Sequence, residues 1–268
     1  MRVASRRLRS ALADFKPCLR RGTLPRRRLK MIAAALGTVR DEDVSLMALE
    51  SLKTKVTEQI AEGIEAIADE RRRRRLHERV SLERMIGNAA IFEFQQDFLT
   101  RLETAVQAGG TFTSKAAHKN QTFRQVGADV ITQRLKGLSE GSECIYEPTR
   151  MKELHRLRIL AKRLRYAVEL FSGCWPEELK TIAREVARLQ TSLGGLHDCD
   201  IWIAELGRRI KKSNRAKNAH DPHADAAVWL VQYFARERTN HHGDALVRWQ
   251  EWQATGFLTK LKEIVRKN

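Results

Sequence analysis

Basic side chains recur along one side of residues 155–171, HRLRILAKRLRYAVELF. On a helix with 3.6 residues per turn, the leucines, Ala167, Val168 and Phe171 form one stripe. The opposite stripe is formed by His155, Arg158, Lys162, Arg165 and Tyr166. Guanidinium and ammonium groups in such a row bind phosphate oxygens, and arginine does so through forked hydrogen bonds. The residue types and their spacing therefore indicate a binding surface for a negatively charged ligand.

Three other segments carry a basic stripe beside an apolar face. Their basic residues are Arg2, Arg6 and Arg9 in the first, Arg27 and Lys30 in the second, and Lys180, Arg184 and Arg188 in the third. Like charges three or four residues apart destabilise a helix by about 0.2–0.5 kcal/mol per pair. The basic faces at 2–9, 155–165 and 180–188 contain no acidic residue to relieve this repulsion. The pattern therefore favours a bound polyanion over an ordinary solvated helix surface.

The energetics of single ion pairs indicate what kind of polyanion fits these faces. An exposed pair contributes only about 0–1 kcal/mol, so one phosphate would be held weakly. A polymer that bridges roughly eight to ten cations reaches micromolar affinity or better. Single-stranded nucleic acid also needs aromatic platforms for its bases, and the basic faces offer only Tyr166. A ligand recognised by its backbone charge is the better match.

The overall charge agrees with this interpretation. The chain has 268 residues, with 50 Lys and Arg against 33 Asp and Glu, which gives a formal net charge of +17. Such an excess favours nucleic acid, an acidic membrane surface or an inorganic polyanion as partner. No apolar run approaches the roughly 20 residues of a membrane helix, and no secretion signal follows the basic start. We therefore expect a soluble cytoplasmic protein with no membrane partner.

Proline and glycine are sparse, and apolar residues recur at three- and four-residue intervals, so we predict an all-α fold. Breaks between helices are expected at 21–25, Gly37, Gly87, 109–114, 141–148, 173–176, 194–195, 213–222 and 241–243. The segment 108–121 is long enough to be a linker. Cys18, Cys144, Cys174 and Cys199 are scattered without CxxC spacing, which indicates reduced structural thiols rather than disulfides or a zinc site.

Two motifs recur in the same order in the two halves of the chain. RVASRRLRSALADF (2–15) aligns with RILAKRLRYAVELF (158–171) at six identical positions. LGTVRDEDV (36–44) aligns with LGGLHDCDI (193–201) and keeps Leu, Gly and both Asp. The paired leucines of the two motifs are 28 and 29 residues apart, from Leu8 to Leu36 and from Leu164 to Leu193. We infer a duplicated helical unit with halves 1–107 and 122–268, joined by the linker 108–121.

These paired motifs resemble the two halves of a CHAD domain, the conserved histidine α-helical domain, and the resemblance covers essentially the whole chain. It implies one domain over 1–268, made of two pseudo-symmetric antiparallel helical bundles with a basic channel between them that binds inorganic polyphosphate. The positions carried over by the motifs are Arg2, Arg6, Arg9, His155, Arg158, Lys162, Arg165 and Tyr166. Arg27, Lys30, Lys180, Arg184 and Arg188 are added from the helical wheel rather than from the resemblance.

The first half departs from the family pattern at its start. Family members carry a histidine three residues before the first motif arginine, and a helix ahead of it. Here Met1 aligns with Leu157, so the counterpart of His155 is absent and the first bundle is expected to lack its leading helix. Either the chain is truncated or its start lies upstream.

Two other charged clusters have alternative explanations. Asp41 and Asp43, and Asp198 and Asp200 beside His197, have the residue types of a metal site, but we favour helix capping or pairing with arginine. The run RRRRR at 71–75 winds around a whole helix, so it is expected to be a solvated surface. We predict no cofactor and no metal.

No GxxxxGK loop and no ExExK signature of triphosphatases is present, so a non-catalytic binding module is expected. Its predicted role is to bind polyphosphate, for example to target the protein to polyphosphate granules. Two alternatives stay open, namely a sequence-nonspecific nucleic-acid binder and a polyphosphate phosphohydrolase. The sequence does not indicate an oligomeric state.

Overall fold

The computed structural model describes residues 1–16, 19, 24–107, 121–215 and 222–267. All regular secondary structure in these ranges is helical, which confirms the all-α prediction. The α-helices in the described ranges are α1 (Arg2–Asp14), α2 (Arg26–Lys53), α3 (Glu58–Ile86), α4 (Asn88–Gln107), α5 (Phe123–Glu140), α6 (Met151–Leu170), α7 (Pro176–Arg215), α8 (Pro222–Ala254) and α9 (Phe257–Arg266). Two short 3-10 helices lie at Glu143–Tyr146 and Ser172–Cys174.

Local sequence signals explain several of the helix starts. Thr122 and Gln125 form a capping box at the start of α5, in which the Thr122 hydroxyl accepts from the Gln125 N–H at 3.2 Å. α7 begins at Pro176 and carries two glutamates in its first turn, which favour a helix N-terminus. α9 follows Gly256, whose φ of 63° is in the left-handed region that favours glycine.

Several predicted breaks are wrong, because Gly37, 194–195 and 241–243 all lie inside long helices. A glycine within a helix costs only about 1 kcal/mol, and tertiary context routinely overrides such a preference. At Gly195 an added Cβ would overlap the ring of His241, so this glycine allows α8 to approach α7. The turn between α2 and α3, at residues 54–57, contains neither proline nor glycine and was not anticipated.

The structure divides into two compact units. Unit 1 consists of Met1–Ala116 and Arg209–Trp229, and unit 2 consists of Ala117–Arg208 and Leu230–Asn268. The two occurrences of the first motif lie on α1 and α6, and those of the second lie on α2 and α7. The linker 108–121 lies outside the described residues except for Gln121, as does Cys18. None of the described helices combines the length and the apolar character that a membrane crossing requires.

Unit 1 has an apolar core and an interhelical ion-pair network. Its core brings together α1, α2 and α4 through Leu12, Leu29, Ile32, Phe94 and Phe98. α2 and α3 both bury apolar residues, among them Leu49 and Ile64, and charged side chains also join these two helices. The pairs between these two helices are Glu42–Arg71 (2.9 Å), Glu42–Arg74 (3.4 Å), Asp43–Arg75 (2.5 Å), Glu50–Arg72 (2.5 Å) and Lys53–Glu65. The expectation that 71–75 is a solvated surface is wrong for Arg71, which is buried, whereas Arg73 and Arg74 are exposed.

Unit 2 has a larger apolar core, in which aromatic side chains of several helices take part. Phe171 and Trp249 are almost completely buried, and the ring of Trp202 on α7 stacks on Phe234 of α8 with centroids 4.8 Å apart. α5 packs along α6, and α9 packs against α5. The free thiols Cys144 and Cys199 are buried in this unit, and burial raises the pKa of Cys199 to about 12.

Candidate functional site

α6 separates its apolar and basic residues onto different faces. Leu154, Leu157, Ala161 and Leu164 are at most 1% exposed. The basic face consists of the partly exposed residues His155, Arg158, Lys162 and Arg165, which we call the α6 basic face. At 1.5 Å per residue, it extends over roughly 15 Å. A row of this length presents several cations to one extended ligand.

A second histidine lies beside this face. The Nδ1 atoms of His155 and His197 are 3.1 Å apart, and the ring centroids are 4.1 Å apart. His197 is on α7, so this contact fixes which side of α7 lies next to the α6 basic face. At 3.1 Å one ring nitrogen donates a proton to the other, which requires at least one of the two Nδ1 atoms to be deprotonated.

Burial and neighbouring cations disfavour the charged form of both imidazoles. Burial, followed by the charge of Arg158 and of Lys162, lowers the pKa of His155. Burial, Arg158 and His155 lower the pKa of His197 to about 4. Both histidines are therefore neutral near pH 7, and the positive charge of the α6 basic face comes from its arginines and lysine.

The end of the face around Arg165 differs from the helical-wheel prediction. The Arg165 guanidinium lies 5.2 Å from the ring centroid of Tyr166, and its Nε is 3.2 Å from a carboxylate oxygen of Glu169. The placement of Tyr166 on an exposed basic face is wrong, because the residue is only 8% exposed. The Arg165 guanidinium lies over its ring, so Tyr166 offers no open aromatic surface.

The predicted basic residues of α7 lie away from the α6 basic face. Lys180, Arg184 and Arg188 are exposed, but they are roughly 100–180° around α7 from His197. Arg188 pairs with Glu185 at 2.6 Å, and Glu185 also binds Arg248 of α8 at 3.1 Å. The structure therefore brings His197 to the α6 basic face instead of these three residues.

Unit 1 repeats this arrangement on α1 and α2. Arg2, Arg6 and Arg9 lie on α1 and form what we call the α1 basic face. Arg2 pairs with Asp41 of α2 at 2.9 Å. Burial and the charge of Arg6 lower the pKa of Arg2, with Asp41 opposing and Arg40 adding to this effect. Arg40 thus lies near the α1 basic face, as His197 lies near the face of α6.

The remaining predicted residues of unit 1 are farther from this face. Arg27 and Lys30 are exposed on α2, roughly 140° and 80° around the helix from Arg40. Sequence reasoning assigned Arg40 no role and considered His197 only as a metal ligand. The sequence feature that could have identified both residues is the second motif. Arg40 and His197 occupy the same position in its two copies, directly before an aspartate.

Three of the four aspartates in the second motif bind arginines, as expected. Asp41 pairs with Arg2, Asp43 with Arg75, and the buried Asp200 with Arg238 at 2.6 Å. Among the described residues, no group of three or more His, Cys, Asp or Glu is arranged to hold a metal ion. These carboxylates stabilise contacts between helices.

Comparison with known proteins identifies the family of the chain. A search of curated proteins found no match. The family model described as the CHAD domain matches residues 1–207, which include α1 to α6, most of α7 and both copies of the two motifs. The duplicated basic helices and the family match lead to the same conclusion, and this protein belongs to the CHAD domain family.

Proposed function

We propose that this protein binds inorganic polyphosphate without hydrolysing it, and that the α6 basic face is a principal contact. The α6 basic face is the observation that carries this proposal, since its ionic side chains are partly exposed and form one row. The α1 basic face is the second contact by virtue of the duplicated motif. The channel between two bundles that the family resemblance implies stays a prediction.

The scarcity of aromatic side chains on the basic faces favours polyphosphate over single-stranded nucleic acid. Tyr166 was the one aromatic residue predicted on a basic face, and it is buried. Base stacking contributes about 1–3 kcal/mol per base in single-strand binders, and the imidazole of His155 is the one aromatic ring among the four residues of the α6 basic face. Polyphosphate has no bases, so its affinity does not depend on a stacking surface.

The acidic residues support a non-catalytic role. A phosphohydrolase that uses Mg²⁺ needs carboxylates with oxygens free to coordinate the ion. Asp41, Asp43 and Asp200 each hold an arginine through one oxygen, and no cluster of three His, Cys, Asp or Glu among the described residues is arranged to hold the ion. The proposed role is to hold polyphosphate, for instance at polyphosphate granules.

The decisive experiment compares two triple variants of α6. Arg158→Gln, Lys162→Gln and Arg165→Gln together remove three charges from the α6 basic face. Lys152→Gln, Arg156→Gln and Arg163→Gln remove the same residue types from an exposed row roughly 130° around the same helix. In calorimetric titration with long-chain polyphosphate, the first variant should lose at least tenfold in affinity. The affinity of the second variant should change less than threefold. Equal losses would show that net charge, rather than this face, is responsible.

Two further measurements separate the alternatives. In competition, unlabelled polyphosphate should displace bound DNA or RNA far more effectively than the reverse, and the opposite order would indicate a nucleic-acid binder. Incubation with polyphosphate and Mg²⁺ should release no orthophosphate. Release that persists in a repurified sample would contradict the non-catalytic role.

A further inference from the structure

The basic residues of α7 that lie away from the α6 basic face border a groove in unit 2. This α7–α8 groove has a volume of about 540 Å³, and the residues that define it best are Ala187, Arg188, Thr191, Asp244, Val247 and Arg248. Val247 is 55% exposed, so a large apolar side chain faces solvent there. Arg188 is roughly 180° around α7 from His197, so the polyphosphate proposal does not involve this groove.

The two sides of the α7–α8 groove carry opposite charges. Arg184 and Arg188 are one turn apart on α7, and we call them the basic rim. Asp244 and Glu251 are two turns apart on α8 and only roughly 20° apart around it, and we call them the acidic rim. All four side chains are exposed, and Glu251 lies 3.9 Å from Arg248. The groove is therefore positive along α7 and negative along α8.

The charges between the two rims are paired within the chain. Glu185 accepts from Arg188 at 2.6 Å and from Arg248 at 3.1 Å, which joins α7 to α8. By contrast, neither Arg184 nor Asp244 forms an ion pair with any residue that the structure describes. The rims therefore hold charges that a facing surface of matching pattern can pair.

α7 and α8 run antiparallel along this groove. Glu185 of α7 contacts Arg248 of α8, and further along α7 the ring of Trp202 stacks on Phe234, which is earlier in α8. A residue early in α7 is therefore level with a residue late in α8. Counted from these two contacts, each arginine of the basic rim is within about one turn of the level of one carboxylate of the acidic rim.

We propose that the α7–α8 groove is the contact surface between two copies of this chain, related by a two-fold axis that runs along the groove. Such an axis places α7 of each copy over α8 of the other and keeps their levels, so rims of opposite charge face each other. Arg184 then faces Glu251 of the second copy, and Arg188 faces Asp244. Because the contact is symmetric, both pairs form twice.

The apolar residue at the groove fits the same arrangement. Val247 of each copy comes over Ala187 and Thr191 of the other, and all three line the groove. Two helices over this length offer a face of roughly 20 Å by 20 Å, about 400 Å² per copy, against about 800 Å² in a standard interface. We therefore expect a weak dimer with a dissociation constant in the micromolar range.

The net charge of +17 opposes association of two copies. At physiological ionic strength, charges more than about 8 Å apart are largely screened from each other. The repulsion between distant charges is then reduced, whereas the attraction between facing rims remains. Complementary rims can therefore hold together two chains of the same net charge.

An exchange of charges between the rims tests this contact. The basic-rim variant is Arg184→Glu with Arg188→Glu, and the acidic-rim variant is Asp244→Arg with Glu251→Arg. In sedimentation equilibrium at about 0.15 M KCl, the wild type should dimerise with a micromolar dissociation constant. Each variant alone should dimerise at least tenfold more weakly, because rims of the same sign then face each other. An equimolar mixture of the two variants should restore the wild-type dissociation constant, because rims of opposite sign face each other again.

A matched control separates the rims from the overall charge. Arg156→Glu with Arg163→Glu makes the same charge change as the basic-rim variant at two exposed positions of α6, and it should change the dissociation constant less than twofold. The basic-rim variant lowers the net charge, so it would strengthen the dimer if overall repulsion were decisive. All variants should keep the wild-type circular dichroism spectrum.

Three results would overturn this assignment. A wild type that stays monomeric up to about 1 mM has no such contact. A dimer that persists in the basic-rim variant uses another surface. If the two folded variants are monomeric and their mixture stays monomeric, the rims do not face each other. These measurements contain no polyphosphate, so their outcome is independent of the proposed function.

Discussion

The paired imidazoles of His155 and His197 couple the α6 basic face to protons. Both histidines are neutral near pH 7, because burial and the adjacent Arg158 oppose their protonation. A polyanion bound along the face offsets the charge of Arg158 and Lys162. Its presence therefore raises the pKa of both imidazoles, and the complex binds more protons than the free protein.

We expect the affinity for polyphosphate to increase as the pH falls from 7.5 to 5.5. This sign follows from linkage, since the state that binds more protons is favoured at lower pH. Calorimetric titrations at pH 7.5, 6.5 and 5.5 measure the change, and titrations in two buffers of different ionisation enthalpy count the protons taken up. The variant His155→Gln with His197→Gln should lose most of this dependence. An affinity that does not change with pH in the wild type would rule out the coupling.

The stability of the free protein should show the opposite trend with pH. The pKa of His197 is about 4 in the folded protein and about 6.5 in an unfolded chain, so the unfolded state binds more protons between these values. The contribution of His197 to stability is therefore present above pH 6.5 and is lost as the pH falls towards 4. Thermal unfolding is followed at pH 7, 6, 5 and 4. The melting temperature should fall less with decreasing pH for His197→Gln than for the wild type. For the control His77→Gln, at an exposed histidine, the melting temperature should fall with pH as it does for the wild type.

The charged residues of α6 could be predicted from the sequence, whereas Tyr166 could not. Charge that recurs at helical spacing identifies a face without any knowledge of the neighbouring elements. Tyr166 has the same angular position as His155, only roughly 20° away around the helix. Tyr166 is nevertheless only 8% exposed, although Arg163 and Leu170 in the same turns of α6 are exposed. A helical wheel gives direction around the axis but not what covers each turn.

At the scale of elements, one of the ion pairs between α2 and α3 is not accessible to solvent. Arg71 and Glu42 are 5% and 6% exposed and form a 2.9 Å ion pair. Removing one member of a buried pair leaves an uncompensated charge, which costs about 3–5 kcal/mol. Replacing both by apolar residues removes the desolvation cost together with the attraction. The Glu42–Arg71 ion pair therefore specifies how α2 and α3 align, and it adds little to the free energy of unfolding.

Arg71→Met should lower the free energy of unfolding by about 3 kcal/mol, because Glu42 keeps only the longer contact to Arg74. Urea denaturation measures this change. The double variant Glu42→Leu with Arg71→Met should recover most of the loss, and Arg73→Met, at an exposed neighbour, should change stability by less than about 0.5 kcal/mol. If the single and double variants are equally destabilised, lost packing rather than an unpaired carboxylate is the cause.

Sequence reasoning anticipated the helices but missed these contacts between them. The partners of Arg71 and Arg75 are 29 and 32 residues away along the chain, and no local pattern links them. The predicted break at Gly195 failed for a related reason. A glycine that ends a helix and a glycine that allows another helix to approach look the same in one sequence, and only the packing partner distinguishes them.

At the scale of the whole molecule, the net charge of +17 makes any polyanion binding sensitive to salt. Each phosphate contact releases bound counterions, so the logarithm of the affinity falls linearly with the logarithm of the salt concentration. The slope of this line reports the number of phosphate contacts. The affinity at a single salt concentration also includes the long-range attraction by the net charge. The two α6 triple variants have the same net charge, so their slopes separate specific contacts from the overall field.

We expect the slope for long-chain polyphosphate to become shallower by about 2 in the variant with Arg158, Lys162 and Arg165 replaced by glutamine. The estimate uses roughly 0.7 per phosphate contact, the value for single-stranded nucleic acids. The variant with Lys152, Arg156 and Arg163 replaced should keep the wild-type slope, although its affinity falls slightly at every salt concentration. Titrations between 50 and 400 mM KCl provide the measurement. Identical slopes for all three proteins would mean that polyphosphate senses the charge of the molecule without docking on the α6 basic face.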